Sequence, residues 1–125
     1  MDQKRYDTGL AKRKQVLGDA YVDRALQNVD DFNRDFQRLL TEYCWGAVWG
    51  REPLDRKTRS MLNLAMLASL NRPHELKMHV KGAIRNGVTK DEIREVLLQV
   101  AIYAGVPAGV DAFRNAREAL QEIGA

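Results

Sequence analysis

Cysteine is nearly missing from this 125-residue chain. With Cys44 alone, neither an internal disulfide nor a CxxC redox pair can form. Proline is scarce too, and Pro53, Pro73 and Pro107 each fall at a break between apolar periodic stretches. No segment alternates polar and apolar residues with period two, which argues against any sheet. Long hydrophobic runs are also lacking: the most apolar stretch, 96–110, is broken by Gln99, Gly105 and Pro107 and is no membrane span. The opening Met1-Asp2-Gln3-Lys4-Arg5 is polar and has no signal-peptide character. Neither sign of charge dominates, since 20 Lys and Arg against 17 Asp and Glu leave a net +3. The basic residues are mixed with acidic ones rather than gathered on one stripe, as a nucleic-acid-binding face would need. There is no low-complexity tract and no obvious linker. These absences predict one all-α domain over 1–125, cytoplasmic, with no membrane or nucleic-acid partner.

What is present is helical periodicity. Residues 3–16 are polar and weakly periodic, as for a helix lying on a surface, and 19–27 suit a short second helix. Over 31–48, Phe32, Phe36, Leu39, Leu40, Tyr43, Ala47 and Val48 recur at the helical period and predict one buried stripe. The segment 56–70 turns apolar on nearly every side from Met61 to Leu70, as for a helix inside a core or between subunits. Pro73 and Gly87 punctuate the next helix, whose inward stripe is Leu76, Val80, Ala83 and Ile84. Thr89 with Glu92 forms a capping box opening a helix to about Ala104. A last helix after Pro107 is expected to pack through Val110, Phe113, Ala116 and Leu120.

The chemistry gathers at residues 71–87. Both histidines, His74 and His79, lie there beside Arg72 and Glu75 at the head of a helix. His79 shares a side with Leu76 and Ala83, so it is at least partly buried. Such an imidazole is either a neutral core residue bonded to a carbonyl or a general acid–base. A metal ligand is disfavoured, because His74 and Glu75 find no matching donors at ligand spacing on other helices. Glu42, Trp45 and Trp49 form a second row on helix 31–48, thinned by Gly46 and Gly50. That row suits a pocket wall around a carboxylate or, equally, a subunit interface rich in tryptophan. Arg72 is either a carboxylate fork or a solvated arginine. Tyr103 is either a hydroxyl presented inward or an ordinary core tyrosine. Cys44 reads as a small hydrophobe.

Three stretches carry a family resemblance: Leu54-Asp55-Arg56-Lys57-Thr58-Arg59-Ser60 with Leu62-Asn63-Leu64-Ala65-Met66; Asn71-Arg72-Pro73-His74-Glu75-Leu76 with His79; and Glu42-Tyr43-Cys44-Trp45-Gly46 with Trp49-Gly50-Arg51. With Glu92-Ile93, Glu95 to Gln99 and Tyr103 to Ala108, they resemble the 4-carboxymuconolactone decarboxylase family over nearly the whole chain. The wider alkylhydroperoxidase-D-like superfamily includes thiol peroxidases with a CxxC pair ahead of the shared histidine. Here Arg72 and Glu75 occupy those places and Ser60 replaces a glutamate, so thiol peroxidase chemistry is excluded.

The resemblance implies a helical bundle of six to seven helices, assembled as a homo-oligomer and expected as a hexamer. The implied substrate is a small dicarboxylate lactone, 4-carboxymuconolactone, converted to the enol-lactone of 3-oxoadipate and CO2 in protocatechuate breakdown. No metal or organic cofactor is implied, because the lactone accepts the electrons. The implied site holds His79 and Glu42 as candidate proton donors. Substrate binding falls to Arg72, His74, Trp45, Arg51 and Tyr103. Two other readings stay open: another cofactor-free lyase or isomerase on a related acid, and a non-catalytic helical oligomer.

Overall fold

The computed structural model describes residues 2–125. Its elements are α1 (Gln3–Leu17), α2 (Asp19–Gln27), α3 (Arg34–Leu39), a π-helix (Leu40–Val48), α4 (Arg56–Ser69), α5 (Pro73–Arg85), α6 (Lys90–Tyr103) and α7 (Val106–Glu122). The protein is all-α, with no strand among the described residues. The helices fall into two compact units, one ending at Asp55 and the other running from Arg56 to Ala125.

In the N-terminal unit, Asp2 starts α1 by accepting the Arg5 N–H on its carboxylate at 3.1 Å. The helix is polar and buries only Gly9, Arg13, Val16 and Leu17. Asp30 then accepts the N–H groups of Phe32 and Asn33, a turn that delays the next helix to Arg34. At Leu40 the α-helix gives way to wider i→i+5 turns, closed by the Trp49 N–H on the Cys44 carbonyl at 3.1 Å. The expected single helix over 31–48 is therefore two helices of different pitch.

The expected inward stripe is not the buried one, before or after that change. Phe32, Phe36, Leu39, Tyr43 and Val48 are exposed, while Thr41, Glu42, Trp45 and Trp49 are buried. Two glycines decide the inward face. A Cβ on Gly9 would sit 1.9 Å from the Thr41 carbonyl oxygen, and one on Gly46 would sit 2.3 Å from that of Arg5. Backbone approach this close is open only to glycine, and it turns the Thr41–Gly46 side of the π-helix onto α1.

The second unit is a four-helix assembly around an aliphatic core that includes Leu64, Leu76, Val80, Ile93 and Leu97. Asn71, in the left-handed region at φ 57°, closes α4. Its N–H donates to Ala68 O at 3.2 Å, and the Arg72 N–H donates to Leu67 O at 3.0 Å. Arg72 is thus the last residue of one cap and the first of the next, and Pro73 begins α5. Gly87, at φ 91°, ends α5, with the Val88 N–H returning to Ala83 O. The capping box is present in both directions: Glu92 N–H to Thr89 Oγ1 at 3.0 Å and Thr89 N–H to Glu92 Oε1 at 2.9 Å.

The expected row on α7 differs here. On α7 the buried residues are Ala108, Gly109, Ala112, Ala116, Ala119 and Leu120, whereas Val110 and Phe113 are exposed. Small residues let helix backbones approach: a Cβ on Gly109 would lie 2.7 Å from that of Ala101. On α4 only Ser60, Leu64 and Ala68 are buried, leaving Leu62 and Met66, and Leu70 just past the helix, exposed.

Candidate active site

In the second unit, the site residues are placed by the short link between α4 and α5. Arg72, His74 and Glu75 are exposed at the head of α5, and one turn further His79 turns inward with Leu76, Val80 and Ala83. His79 is only 8% exposed. Burial pushes its pKa down from 6.5 to about 4, opposed by the Glu75 carboxylate, which favours the charged form. At neutral pH the imidazole is therefore uncharged, with one nitrogen carrying hydrogen and the other a lone pair. Among the described residues no cluster of three or more His, Cys, Asp or Glu is placed to hold a metal ion.

Tyr103 stands at the C-terminal end of α6 and is 83% exposed within the chain, so its hydroxyl is not turned inward as expected. A helix end offers no neighbouring turn to cover a large side chain. Ser60, the position where peroxidase relatives carry glutamate, is fully buried, and its hydroxyl accepts a hydrogen bond from Asn86 Nδ2 at 2.9 Å.

In the N-terminal unit, the π-helix collects Glu42, Trp45 and Trp49 on its buried side. The two indoles stack with centroids 4.9 Å apart and planes at 28°. Glu42 Oε1 accepts the Asp2 N–H at 3.1 Å, so its carboxylate also fixes the start of α1. Arg51 lies beyond the π-helix and is exposed. Cys44 is half-buried, and burial pushes its thiol pKa up, which keeps it protonated.

Arg13 was not singled out by its sequence, yet it is only 4% exposed. Its guanidinium donates to Gln37 Oε1 at 3.0 Å and Thr41 Oγ1 at 3.3 Å, tying α1 to the start of the π-helix. Burial lowers its pKa, as expected for a cation with neutral partners. A signal existed: Gly9, Arg13, Val16 and Leu17 share one helical face, and Gly9 marks that face as a contact.

These placements can be set beside known proteins. The model of the carboxymuconolactone decarboxylase family matches residues 34–118. The chain is 45% identical over 123 residues to 4-carboxymuconolactone decarboxylase of Acinetobacter baylyi, covering 98% of this chain and 92% of that protein. It is 43% identical over 118 residues to nitrosuccinic acid decarboxylase of Metarhizium robertsii, covering 94% of this chain and 82% of the relative. A 47-residue match, 51% identical, spans 37% of this chain and 98% of a 4-carboxymuconolactone decarboxylase sequence from Pseudomonas putida. From the span of the family model and the near-full-length identity, the chain belongs to the carboxymuconolactone decarboxylase family.

Proposed function

We propose that the chain is a carboxy-lyase that converts 4-carboxymuconolactone to the enol-lactone of 3-oxoadipate and CO2 without a cofactor, and that 1–125 works as one domain of this kind. The observation that carries the reading is the near-full-length likeness to a decarboxylase of that name, together with a buried, neutral His79 one turn inside the Arg72–His74 entrance of α5.

The substrate supplies its own electron sink. Its departing carboxylate sits on a ring carbon conjugated through the ring double bond to the lactone carbonyl. As CO2 leaves, the bonding pair passes into that carbonyl as a furan-like dienolate, and a proton then adds to ring carbon. The overall step consumes one proton. The protein must therefore hold a dianion, stabilise an enolate oxygen and deliver that proton.

Arg72 suits the first task, with Arg51 as a second cation. His74 is a candidate donor to the enolate oxygen, and Trp45 offers an apolar wall. His79 is the favoured proton carrier and Glu42 the second. A neutral imidazole is a poor acid toward carbon, but a bound dianion favours the charged form and raises its pKa. Substrate binding then loads onto His79 the proton that the product retains. Calorimetry with an inert dicarboxylate lactone analogue, repeated in buffers of different ionisation enthalpy, should show about one proton taken up per site at neutral pH. Binding without proton uptake would remove His79 from this role.

A second substrate is favoured by the likeness to the nitrosuccinic acid decarboxylase. There a nitro group beside the departing carboxylate accepts the electron pair, the same logic with a different sink. Following CO2 release from each compound separates the two readings. Rapid turnover of the lactone supports the first, and turnover of nitrosuccinate alone supports the second.

Self-association belongs to the same proposal. Exposed Leu62 and Met66 on α4 and Leu70 just after it, with Phe36, Leu39 and Tyr43 in the N-terminal unit, are the apolar surfaces that further subunits would cover. A homohexamer in native mass spectrometry is the expected result. A cytoplasmic location is proposed with it; among the described residues no helix is long and apolar enough to cross a membrane.

A further inference from the structure

We propose that the cavity between the first half of α6 and the last half of α7 is a ligand site for an amphipathic anion, an aryl or acyl body ending in one carboxylate. The cavity is a groove open to solvent on one side, with a volume of about 430 Å³, within the range of small-molecule sites. Ile93, Leu97, Phe113 and Leu120 supply its apolar lining, Lys90, Arg94 and Arg117 bring positive charge, and Gln121 and Ala125 close its end.

The charge there is not spent elsewhere. Arg94 pairs with Asp91 at 2.9 Å. Lys90 and Arg117, by contrast, make no ion pair among the described residues. The two acids in the last turns of α7 are committed to another helix: Glu118 binds Lys77 of α5 at 3.3 Å, and Glu122 binds Lys77 and Lys81 at 2.7 and 2.6 Å. The last turns of α7 thus carry neutralised acids toward α5 and an unneutralised arginine on the cavity. An apolar recess with two unpaired cations fits a ligand whose body is hydrophobic and whose end is a carboxylate, which Arg117 can fork and Lys90 can meet as a point charge. This site shares none of its lining residues with those assigned to decarboxylation.

Titration of the intact oligomer with 2-naphthoate, followed by calorimetry, tests the proposal. One saturable site per chain is expected, with the uncharged 2-naphthamide binding about tenfold more weakly or worse. The Lys90→Gln/Arg117→Gln variant should lose that preference while keeping wild-type turnover. The Arg72→Gln variant should keep it, which separates this cavity from the decarboxylation site. Equal affinity for acid and amide, a charge preference unchanged in the double variant, or its loss in Arg72→Gln would overturn the proposal. So would a double variant that changes the oligomeric mass, since a second copy of the chain would then be the occupant.

Discussion

The two units are held together by different means. The four-helix unit rests on aliphatic side chains at helical spacing, framed by a capping box and by a positive-φ residue after each helix. The N-terminal unit has few aliphatic residues inside. It is held by stacked indoles, a buried arginine, and backbone pressed on backbone at Gly9 and Gly46. Ordinary hydrophobic burial tolerates small changes of side chain, whereas a glycine contact tolerates none.

The sharpest way to probe this contrast is to damage each unit by its own weakness. Leu97 is fully buried in the second unit, so Leu97→Ala should lower unfolding free energy by about 3 kcal/mol in urea titrations. A change below about 1 kcal/mol would mean that the aliphatic core is not what holds this unit.

The pH dependence gives an effect of similar size. The folded-state pKa of His79 is depressed to about 4 from 6.5, so the unfolded chain binds the proton more readily. The associated stability is complete above pH 6.5 and drains away as pH falls toward 4. The loss is about 3 kcal/mol over that window, at about 1.4 kcal/mol per unit of pKa shift. His79→Gln should flatten this part of the stability curve. An unchanged slope would show that the imidazole is not held neutral by burial.

Gly9→Ala should produce a somewhat smaller loss, about 2 kcal/mol of overpacking, because the new methyl meets the Thr41 carbonyl. Hydrogen exchange should quicken in α1 and the π-helix and stay unchanged in α4–α7. Uniform quickening across both units would break the contrast.

The sequence was easier to read where apolar burial decides the structure. Leu76, Val80 and Ala83 sit inward as their spacing requires, His79 shares their face, and Thr89 and Glu92 cap each other as their separation suggests. The stripe over 31–48 misled in two places: a π-helix from Leu40 re-registers the later rows, and Phe32, Phe36 and Leu39 ahead of it form an exposed apolar surface, which periodicity alone does not distinguish from a buried one. On α7 the size of Val110 and Phe113 suggested burial, yet contact runs through the alanines, since small residues set how near two helices lie. Arg13 was hidden for a related reason: a charged residue carries no apolar signal, and only Gly9 one turn earlier marks its face.

The account turns on one imidazole. Release of CO2 from 4-carboxymuconolactone by the wild-type chain and by its His79→Gln variant, with helical content and oligomeric mass matched, tests it directly. The expected result is cofactor-free turnover that falls by about a hundredfold or more when the imidazole is replaced. Undiminished CO2 release from the variant would contradict the account, and the proton would have to come from another group.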